Sequence, residues 1–301
     1  MRNRVVATHL RLGALLWMLW SMLLISPPVN AHEVSNPRVL IDAAHHNFHT
    51  AEQRYAPLTR LLQDAGFSVQ STRSSFTPEM LRGTDALVIA NALHASNVDR
   101  WASPVESALA ANEIELLVAW VENGGALLLI ADHFPFPGAV ANLAERFGFR
   151  LFNGFAIRSD ASAEDIFDLE AGSLKHLTDI TGADLNPPVK RIAAFTGSAF
   201  EAPHEAQPIM VLGADYELWL TSRAWEFGPT TPKRPALGLL QGATRTFGKG
   251  RIAVFAEAAM FTSQTAPDGK TSIGFDAPAA RDNRAFVINV FRWLTEPLNR
   301  R

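Results

Sequence analysis

Histidine, carboxylate and amide side chains follow four separate apolar segments of the sequence. These polar residues are Asp42, His45, His46, Asn47, His49, Asn91, His94, Asp132, His133 and Glu257. Imidazole and carboxylate groups often ligate metals or transfer protons in proteins. Their recurrence after apolar runs makes them the first candidates for a functional site.

One chemistry open to these residues is metal binding. The predicted ligands are His46, His94, Asp132 and His133. The chain contains no cysteine, which rules out a thiolate site. Imidazole and carboxylate without thiolate suit zinc, manganese, iron or nickel, so a divalent metal such as zinc is the predicted cofactor. Zinc-bound water has a pKa of about 7 and could hydrolyse an ester, an amide or a glycosidic linkage.

The same groups could instead transfer protons without a metal. The predicted catalytic residues, acting as general acids and bases, are Asp42, His46, His133 and Glu257. The residues predicted to bind a ligand are His45, Asn47, His49, Asn91 and Asn283.

Structural roles are the alternative for each of these side chains. Asp42 and Asp132 can accept backbone N–H groups in tight turns, and Glu257 can be a paired, buried carboxylate. Which of the histidines at positions 45, 46 and 49 faces a site stays open, because loop residues have no readable period.

The elements that would position these residues alternate between strands and helices. The predicted strands are Arg38 to Ile41, Phe67 to Ser71, Asp85 to Asn91 and Ala126 to Ala131. Their continuous apolar character favours a parallel sheet covered on both faces. Helices are predicted after the capping patterns at Thr50 and Ser103, as one turn at Thr77, and from Gly138 to Phe147. Ligands of such sheets bind beyond the carboxyl ends of the strands, so the polar residues are expected to meet there.

The second half of the chain is less regular. Residues 149–233 contain strand-like pieces separated by proline, glycine and aspartate, which predicts an antiparallel extension or insertion. Pro235 to Gln241 and Arg251 to Ala256 predict a hairpin that turns near Gly248. Asp282 begins a last amphipathic helix, where its simplest role is that of a cap.

The first 31 residues have the pattern of a secretory signal peptide. Arginines 2, 4 and 11 precede the apolar stretch Leu12 to Ile25, and Val29, Asn30 and Ala31 form a small-residue cleavage site. We therefore expect a periplasmic or secreted protein with no stable membrane insertion after cleavage. Residues 32–301 are expected to form a single domain. Cleavage would leave His32 as a terminal amine beside an imidazole, which can chelate copper, but an ordinary mobile terminus is the simpler interpretation.

Charge excludes some classes of partner. Without its first 31 residues the chain has 24 basic side chains (27 minus the three leader arginines) and 30 acidic ones, a net charge of −6. Such a chain without a basic run is a poor candidate for nucleic acid. A small-molecule or carbohydrate ligand is the predicted partner, and the sequence does not indicate an oligomeric state.

Several segments resemble a known superfamily. They are Val39 to Asn47, Trp120 to Leu129, Gly248 to Val254, and Asp282–Asn283 with the final Arg292–Trp293–Leu294. Their order is similar to that of the class I glutamine amidotransferase-like superfamily, and most similar to its cysteine-less extracytoplasmic and trehalose-utilisation-like branch. The resemblance implies a flavodoxin-like three-layer α/β sandwich. The amidotransferases of that superfamily use a cysteine nucleophile, so the missing cysteine excludes their glutaminase activity.

Two functional hypotheses follow from the sequence. One is an extracytoplasmic, metal-assisted hydrolase of a small or carbohydrate-derived substrate, based on the histidines and carboxylates at strand ends. The other is a non-catalytic ligand-binding or assembly module on the same fold, favoured by the absence of a recognisable nucleophile–base pair.

Overall fold

The computed structural model describes residues 36–160, 164–266 and 268–296. The chain from Asn36 onward forms one compact unit. The predicted signal peptide, its cleavage site and His32 lie outside the described residues. None of the described helices is long and apolar enough to span a bilayer.

A nine-stranded sheet forms the centre of the described chain. Its five parallel strands, in spatial order, are β2 (Ser68–Thr72), β1 (Arg38–Asp42), β3 (Ala86–Ala90), β4 (Ala126–Ile130) and β14 (Gly250–Phe255). The four predicted parallel strands are confirmed to within two residues at each end. The order 2-1-3-4-14 places the two central crossovers as in flavodoxin-like sheets.

The sheet continues in antiparallel fashion beyond β14. The added strands are β13 (Leu240–Phe247), β9 (Ala199–Glu201), β5 (Arg150–Phe152) and β10 (Gln207–Val211). The predicted hairpin turn and its second strand are confirmed, but the first strand lies at Leu240–Phe247 and not at Pro235 to Gln241. The turn contains Gly248, whose φ of 59° suits glycine. A Cβ at that position would meet the Glu122 carbonyl oxygen at 2.5 Å, so a side chain would not fit.

Smaller sheets account for the remaining described strands. One contains β6 (Phe155–Arg158), β11 (Tyr216–Trp219) and β12 (Lys233–Pro235). Two antiparallel pairs are β7 (Asp165–Asp168) with β8 (Arg191–Ala194), and β15 (Ser263–Thr265) with β16 (Ser272–Gly274).

Helices cover both faces of the sheet. They are α1 (Ala56–Asp64), α2 (Pro78–Leu81), α3 (Ala111–Glu122), α4 (Phe136–Ala139), α5 (Ala141–Arg146) and α6 (Asn283–Thr295). On one face, side chains of α1 and α6 pack with Val39 and Ile41 of β1. On the other, α3 and α5 pack with the intervening Leu40. The result is the flavodoxin-like three-layer sandwich with an antiparallel extension that the sequence predicts.

Two helix starts differ from their prediction. For the first helix, Pro57 allows either a start or a kink at that residue, and the observed start at Ala56 agrees with the former, although the Thr50 pattern does not cap it. The segment from Ser103 is irregular, because the Asn97 amide binds its carbonyl groups and holds it away from helical geometry. The segment from Gly138 to Phe147 is split at Val140 into two short helices.

Candidate functional site

A cavity of about 460 Å³ opens at the carboxyl ends of the parallel strands. We call it the carboxyl-edge pocket. Its lining residues are Phe48, His49, Asp132, His133, Glu164, Phe195, Thr196, Glu257, Ala259, Gln264, Ala266, Thr271, Ser272 and Ile273. Four of the residues predicted for a site therefore lie in its wall: His49, Asp132, His133 and Glu257.

Two carboxyl groups of the pocket stand at the ends of neighbouring parallel strands. Ile130 of β4 is paired with Phe255 of β14, and Asp132 and Glu257 each follow two residues later. Asp132 is 8% exposed and Glu257 is completely buried. Neither forms an ion pair with a lysine or arginine in the described part of the chain.

Backbone N–H groups are the hydrogen-bond donors to these carboxyls. The two oxygens of Glu257 accept from Ala259 at 2.9 Å and from Met260 at 2.7 Å. Asp132 accepts from the His133 N–H at 2.8 Å. These bonds hold both side chains in place without neutralising them.

Burial changes the protonation of this carboxyl pair. It raises the pKa of Glu257 well above the ordinary range, and the charge of Asp132 raises it further. Burial also raises the pKa of Asp132, although His133 and Asn91 oppose that shift. Glu257 is thus the group whose ionisation the pocket opposes most, and a protonated carboxyl can donate a proton.

His133 has one ring nitrogen engaged and one available. Its Nδ1 lies 2.8 Å from the Phe134 carbonyl oxygen, which can only accept, so Nδ1 carries the proton. In the neutral ring Nε2 is then the basic nitrogen. The ring stacks on Phe155 with centroids 4.6 Å apart. The Trp225 ring lies edge-to-face with it, at a centroid distance of 4.7 Å.

His49 presents the opposite tautomer, and Asn91 sets it. The Asn91 Oδ1 accepts the Asp132 N–H at 2.9 Å, so the amide nitrogen must point the other way. That nitrogen donates to His49 Nδ1 at 3.2 Å, which leaves the proton of the neutral ring on Nε2. The His49 Nε2 is buried and has no hydrogen-bond partner.

Burial keeps this second imidazole uncharged. It lowers the pKa of His49 to about 3, and the nearby Arg54 and His133 lower it too. Asn91 itself is held in the left-handed region, with a φ of 49°. Its amide therefore acts as a fixed connection between the end of β4 and His49.

The predicted residues Asp42 and His45 lie in a different place. The two oxygens of Asp42 are 2.9 and 3.1 Å from His45 Nδ1, and the His45 Nε2 is 3.2 Å from Glu113 Oε1. Glu113 also accepts the N–H groups of Phe76 and Ala110. We call Asp42, His45 and Glu113 the buried triad, and none of them lines the carboxyl-edge pocket.

The charge state of the buried triad follows from its bonding. Burial by itself would lower the pKa of His45, but the hydrogen bonds and charges of Asp42 and Glu113 outweigh it and raise the pKa. A ring with both nitrogens bound to carboxylates is stabilised as imidazolium. The triad thereby connects the end of β1 to the start of α3, which is a structural role.

Other predicted residues also have structural placements. Asn47 donates to Asp42 at 3.1 Å, beside the buried triad. Asn283 binds both backbone groups of Ala193 at 2.8 and 2.9 Å, which attaches α6 to β8. Asp282 accepts the Lys190 and Arg191 N–H groups and makes no side-chain bond to its own helix.

His46 and His94 do not meet Asp132 and His133. Both are exposed and neither lines the pocket. His46 occupies a left-handed position with a φ of 47°, and His94 accepts the Ser96 N–H at 3.2 Å. In the described residues no group of three or more histidine, aspartate or glutamate side chains is arranged to hold a metal ion. The predicted four-ligand set therefore does not assemble, because two of its members turn outward into solvent.

Several residues of the site carried no usable sequence signal. Glu113 could have been noticed as a carboxylate three residues into a helix, but the helix start itself was misplaced. Phe195 and Thr196 follow β8, a short strand of the irregular region. Trp225 lies in a loop without a pattern, although its ring contacts His133.

Comparisons with known proteins identify the fold and not the family. No family model matches the chain, and no curated protein matches it in sequence. Solved structures with a similar fold do exist, and those compared below have low sequence identity.

Three of these structures have a TM-score above 0.5. The chain is similar to the mmIFT52 N-terminal domain, with 17% identity, a TM-score of 0.60, and coverage of 86% of this chain and 98% of that one. A cytoplasmic protein from Salmonella typhimurium LT2 has 15% identity and a TM-score of 0.53, and the match covers 86% of this chain and 100% of that one. A ThuA-like protein from Bacteroides uniformis has 12% identity and a TM-score of 0.52, and the match covers 91% of this chain and 98% of that one. At these identities the likenesses show a shared fold and no shared function.

Proposed function

We propose that the protein is an extracytoplasmic hydrolase that works by acid–base catalysis in the carboxyl-edge pocket on a small, uncharged polar substrate. The observation that supports this most is the buried pair Asp132 and Glu257, which has no lysine or arginine partner among the described residues and lines the same cavity as His133. A carboxyl group whose pKa is raised by burial is suited to donate a proton.

The roles follow from the protonation states. Protonated Glu257 donates its proton to the leaving oxygen as the scissile bond breaks. Nε2 of His133 takes a proton from the attacking water, whose oxygen forms the new bond. The proton then returns from the imidazolium to the Glu257 carboxylate through solvent, which restores the starting state. The charge of Asp132 favours the protonated form of its neighbour throughout.

The charge of the pocket limits the substrate. Its described lining includes the carboxyl residues Asp132, Glu164 and Glu257 and no lysine or arginine. An ionised Asp132 carboxylate would oppose the binding of an anionic substrate. Carbohydrate-derived molecules are the favoured class, because aromatic rings border the pocket next to hydrogen-bonding groups. The leader-like pattern of residues 1–31 is what supports a periplasmic or secreted location.

A non-catalytic binding module is the second candidate. One observation favours it: both oxygens of Glu257 already accept backbone N–H groups, which is also how a purely structural carboxyl is held. In that case the pocket would bind the same class of molecule without turning it over. The metal-assisted version stays a prediction, with Asp132 and His133 as the two predicted ligands that line one cavity.

Turnover by matched variants tests the proposal. Purified protein, dialysed against a chelator, is assayed on a panel of 4-nitrophenyl glycosides and esters. We expect the activity to survive dialysis and to fall roughly 10²- to 10⁴-fold in Glu257→Gln and in His133→Gln. His94→Gln, an exposed histidine outside the pocket, is the control and should retain full activity.

Each contrary outcome points to a specific alternative. Activity that disappears on dialysis and returns with zinc would replace the acid–base mechanism with the metal-assisted one. Full activity in both pocket variants would place the chemistry elsewhere. Binding of a panel compound without turnover would favour the binding module.

A further inference from the structure

An exposed aromatic surface adjoins the carboxyl-edge pocket across His133. Trp225 is 55% exposed and Phe227 is 37% exposed, which is unusual for such large apolar side chains. The ring centroids of Trp225 and His133 are 4.7 Å apart. The centroids of Trp225 and Phe227 lie 4.8 and 5.1 Å from that of the buried Phe155. We call Trp225 and Phe227 the aromatic shelf.

Trp225 lies at the surface in a backbone conformation that tryptophan does not favour. Trp225 has a φ of 65°, a left-handed conformation that bulky residues rarely adopt. Its loop is fixed before and after the tryptophan, since the Ala224 N–H donates to the Trp101 carbonyl at 2.9 Å and the Thr221 hydroxyl donates to the Glu226 carbonyl at 2.8 Å. Strain of this kind, in a residue that also leaves its ring exposed, is typical of a functional position.

Polar groups surround the exposed rings. A cavity of about 660 Å³ lies in the same loop, lined by both rings of the shelf together with Ser222, Arg223, Glu226 and Thr230. Arg223 Nε and Glu226 Oε1 are 3.3 Å apart, so their charges cancel locally. The surface therefore combines apolar faces with neutral or paired hydrogen-bonding groups.

We propose that the aromatic shelf is a second subsite, which binds the next ring of a neutral oligosaccharide whose first ring occupies the carboxyl-edge pocket. This inference rests on the proposed function, because it takes that pocket as the first subsite. A sugar ring has an apolar face of C–H bonds that packs on an aromatic ring, and hydroxyl groups at its rim that need polar partners. The aromatic shelf offers the apolar faces and its cavity offers the polar partners, and Trp225 of the shelf contacts His133 directly.

Binding measurements with saccharides of increasing length test the subsite. The probes are neutral glucose-, mannose-, galactose-, xylose- and N-acetylglucosamine-based saccharides of one to four rings, measured by calorimetry on the full protein. We expect affinity to rise when the second ring is added. In Trp225→Asn the two-ring probe should bind about three- to tenfold more weakly, the range that a lost aromatic contact gives. Asparagine is chosen because it tolerates the left-handed backbone, so the loop is retained.

Two controls separate this result from general effects. Trp225→Phe should recover most of the affinity because it keeps a ring, and Leu237→Ala removes a 67% exposed apolar side chain elsewhere and should change nothing. The inference is overturned if no probe binds, if affinity does not depend on length, or if Trp225→Asn binds all lengths like the wild type. All of these proteins are titrated with Glu257→Gln as a common background, which removes the proposed proton donor and so keeps the probes intact. The catalytic proposal is judged separately, by turnover in the protein that retains Glu257.

Discussion

Two assemblies of histidine and carboxylate lie near the same edge of the sheet, and they differ in how completely their polar groups are satisfied. In the buried triad both nitrogens of His45 face carboxylates, and Glu113 accepts two backbone N–H groups as well. In the carboxyl-edge pocket, the described part of the chain offers Asp132 and Glu257 no lysine or arginine partner and offers the Nε2 of His49 no hydrogen-bond partner.

The difference shows how the same residue types acquire opposite roles. A fully paired buried cluster stabilises the fold and leaves nothing for a ligand. An incompletely paired one costs stability, and such a cost is common where a protein binds or transforms something. The four variants below separate the two assemblies, beginning with the largest expected effect.

Breaking the buried triad should cost the most stability. His45→Ala leaves two buried carboxylates facing each other without a cation, and we expect the free energy of unfolding to fall by about 3–5 kcal/mol. Denaturant titration measures this change. Because the pKa of His45 is raised in the folded state, the stabilisation is fully present below pH 6.5 and is lost as pH rises through the folded value. A loss no greater than that of His94→Ala would show that the triad is not the stabilising element.

Removing the titrating group of the pocket should change the pH dependence of stability. The pKa of Glu257 is raised above 4.5 on folding, so stability falls as pH rises from 4.5 towards the folded value. The slope can reach about 1.4 kcal/mol per pH unit. Glu257→Gln should reduce this slope by the part that one carboxyl contributes, whereas Glu115→Gln on the surface should retain it. An unchanged pH profile in Glu257→Gln would mean that the folded protein does not oppose ionisation of Glu257.

Exchanging the amide that orients His49 should change that ring and little else. In Asn91→Asp an oxygen replaces the donor to His49 Nδ1, so we expect a proton to move to Nδ1 and the pKa of His49 to rise from about 3. In the wild type the pKa of His49 is lowered on folding, so the free energy of unfolding decreases as pH falls from 6.5 to about 3. The variant should show a smaller decrease over the same range. Nitrogen-15 shifts of the ring report the tautomer directly, with His94 as the internal control. A ring that stays protonated on Nε2 would contradict the assigned role of Asn91.

The smallest effect is expected at a histidine that belongs to neither assembly. His46→Gly keeps the left-handed backbone, which glycine adopts freely, and removes only an exposed ring. The free energy of unfolding should change by less than about 1 kcal/mol, and binding or turnover in the pocket should not change. A tenfold loss of turnover would restore His46 to the catalytic role that its sequence position predicts.

The parallel part of the fold could be read from the sequence because its signal is local. Runs such as Ala86 to Ala90 and Ala126 to Ala131 are wholly apolar, and each is bounded by polar or glycine residues. The helix expected at Ser103 was wrong for a non-local reason. Asn97 and the loop at residues 222–223 hold that segment in an extended form, and no spacing rule within the segment reveals them.

The sequence predicts where in the fold the candidate site lies, but not which residues line it. Strand topology brings Asp132 and Glu257 to one edge, so their proximity follows from the order of the strands. Among the three clustered histidines, one turns to Glu113, one turns to solvent and one turns to the pocket. That choice depends on loop dihedral angles and on partners dozens of residues away, such as Asn91 for His49, and sequence spacing does not encode either.

The junction between the last helix and the irregular region also has a temporal consequence. Asp282 and Asn283 supply the hydrogen bonds that fix the backbone from Lys190 to Ala193, roughly 90 residues earlier in the chain. During synthesis from the amino terminus, that earlier segment must wait for partners that do not yet exist. Residues up to Asn283 must therefore be synthesised before the segment from Lys190 to Ala193 can form these bonds.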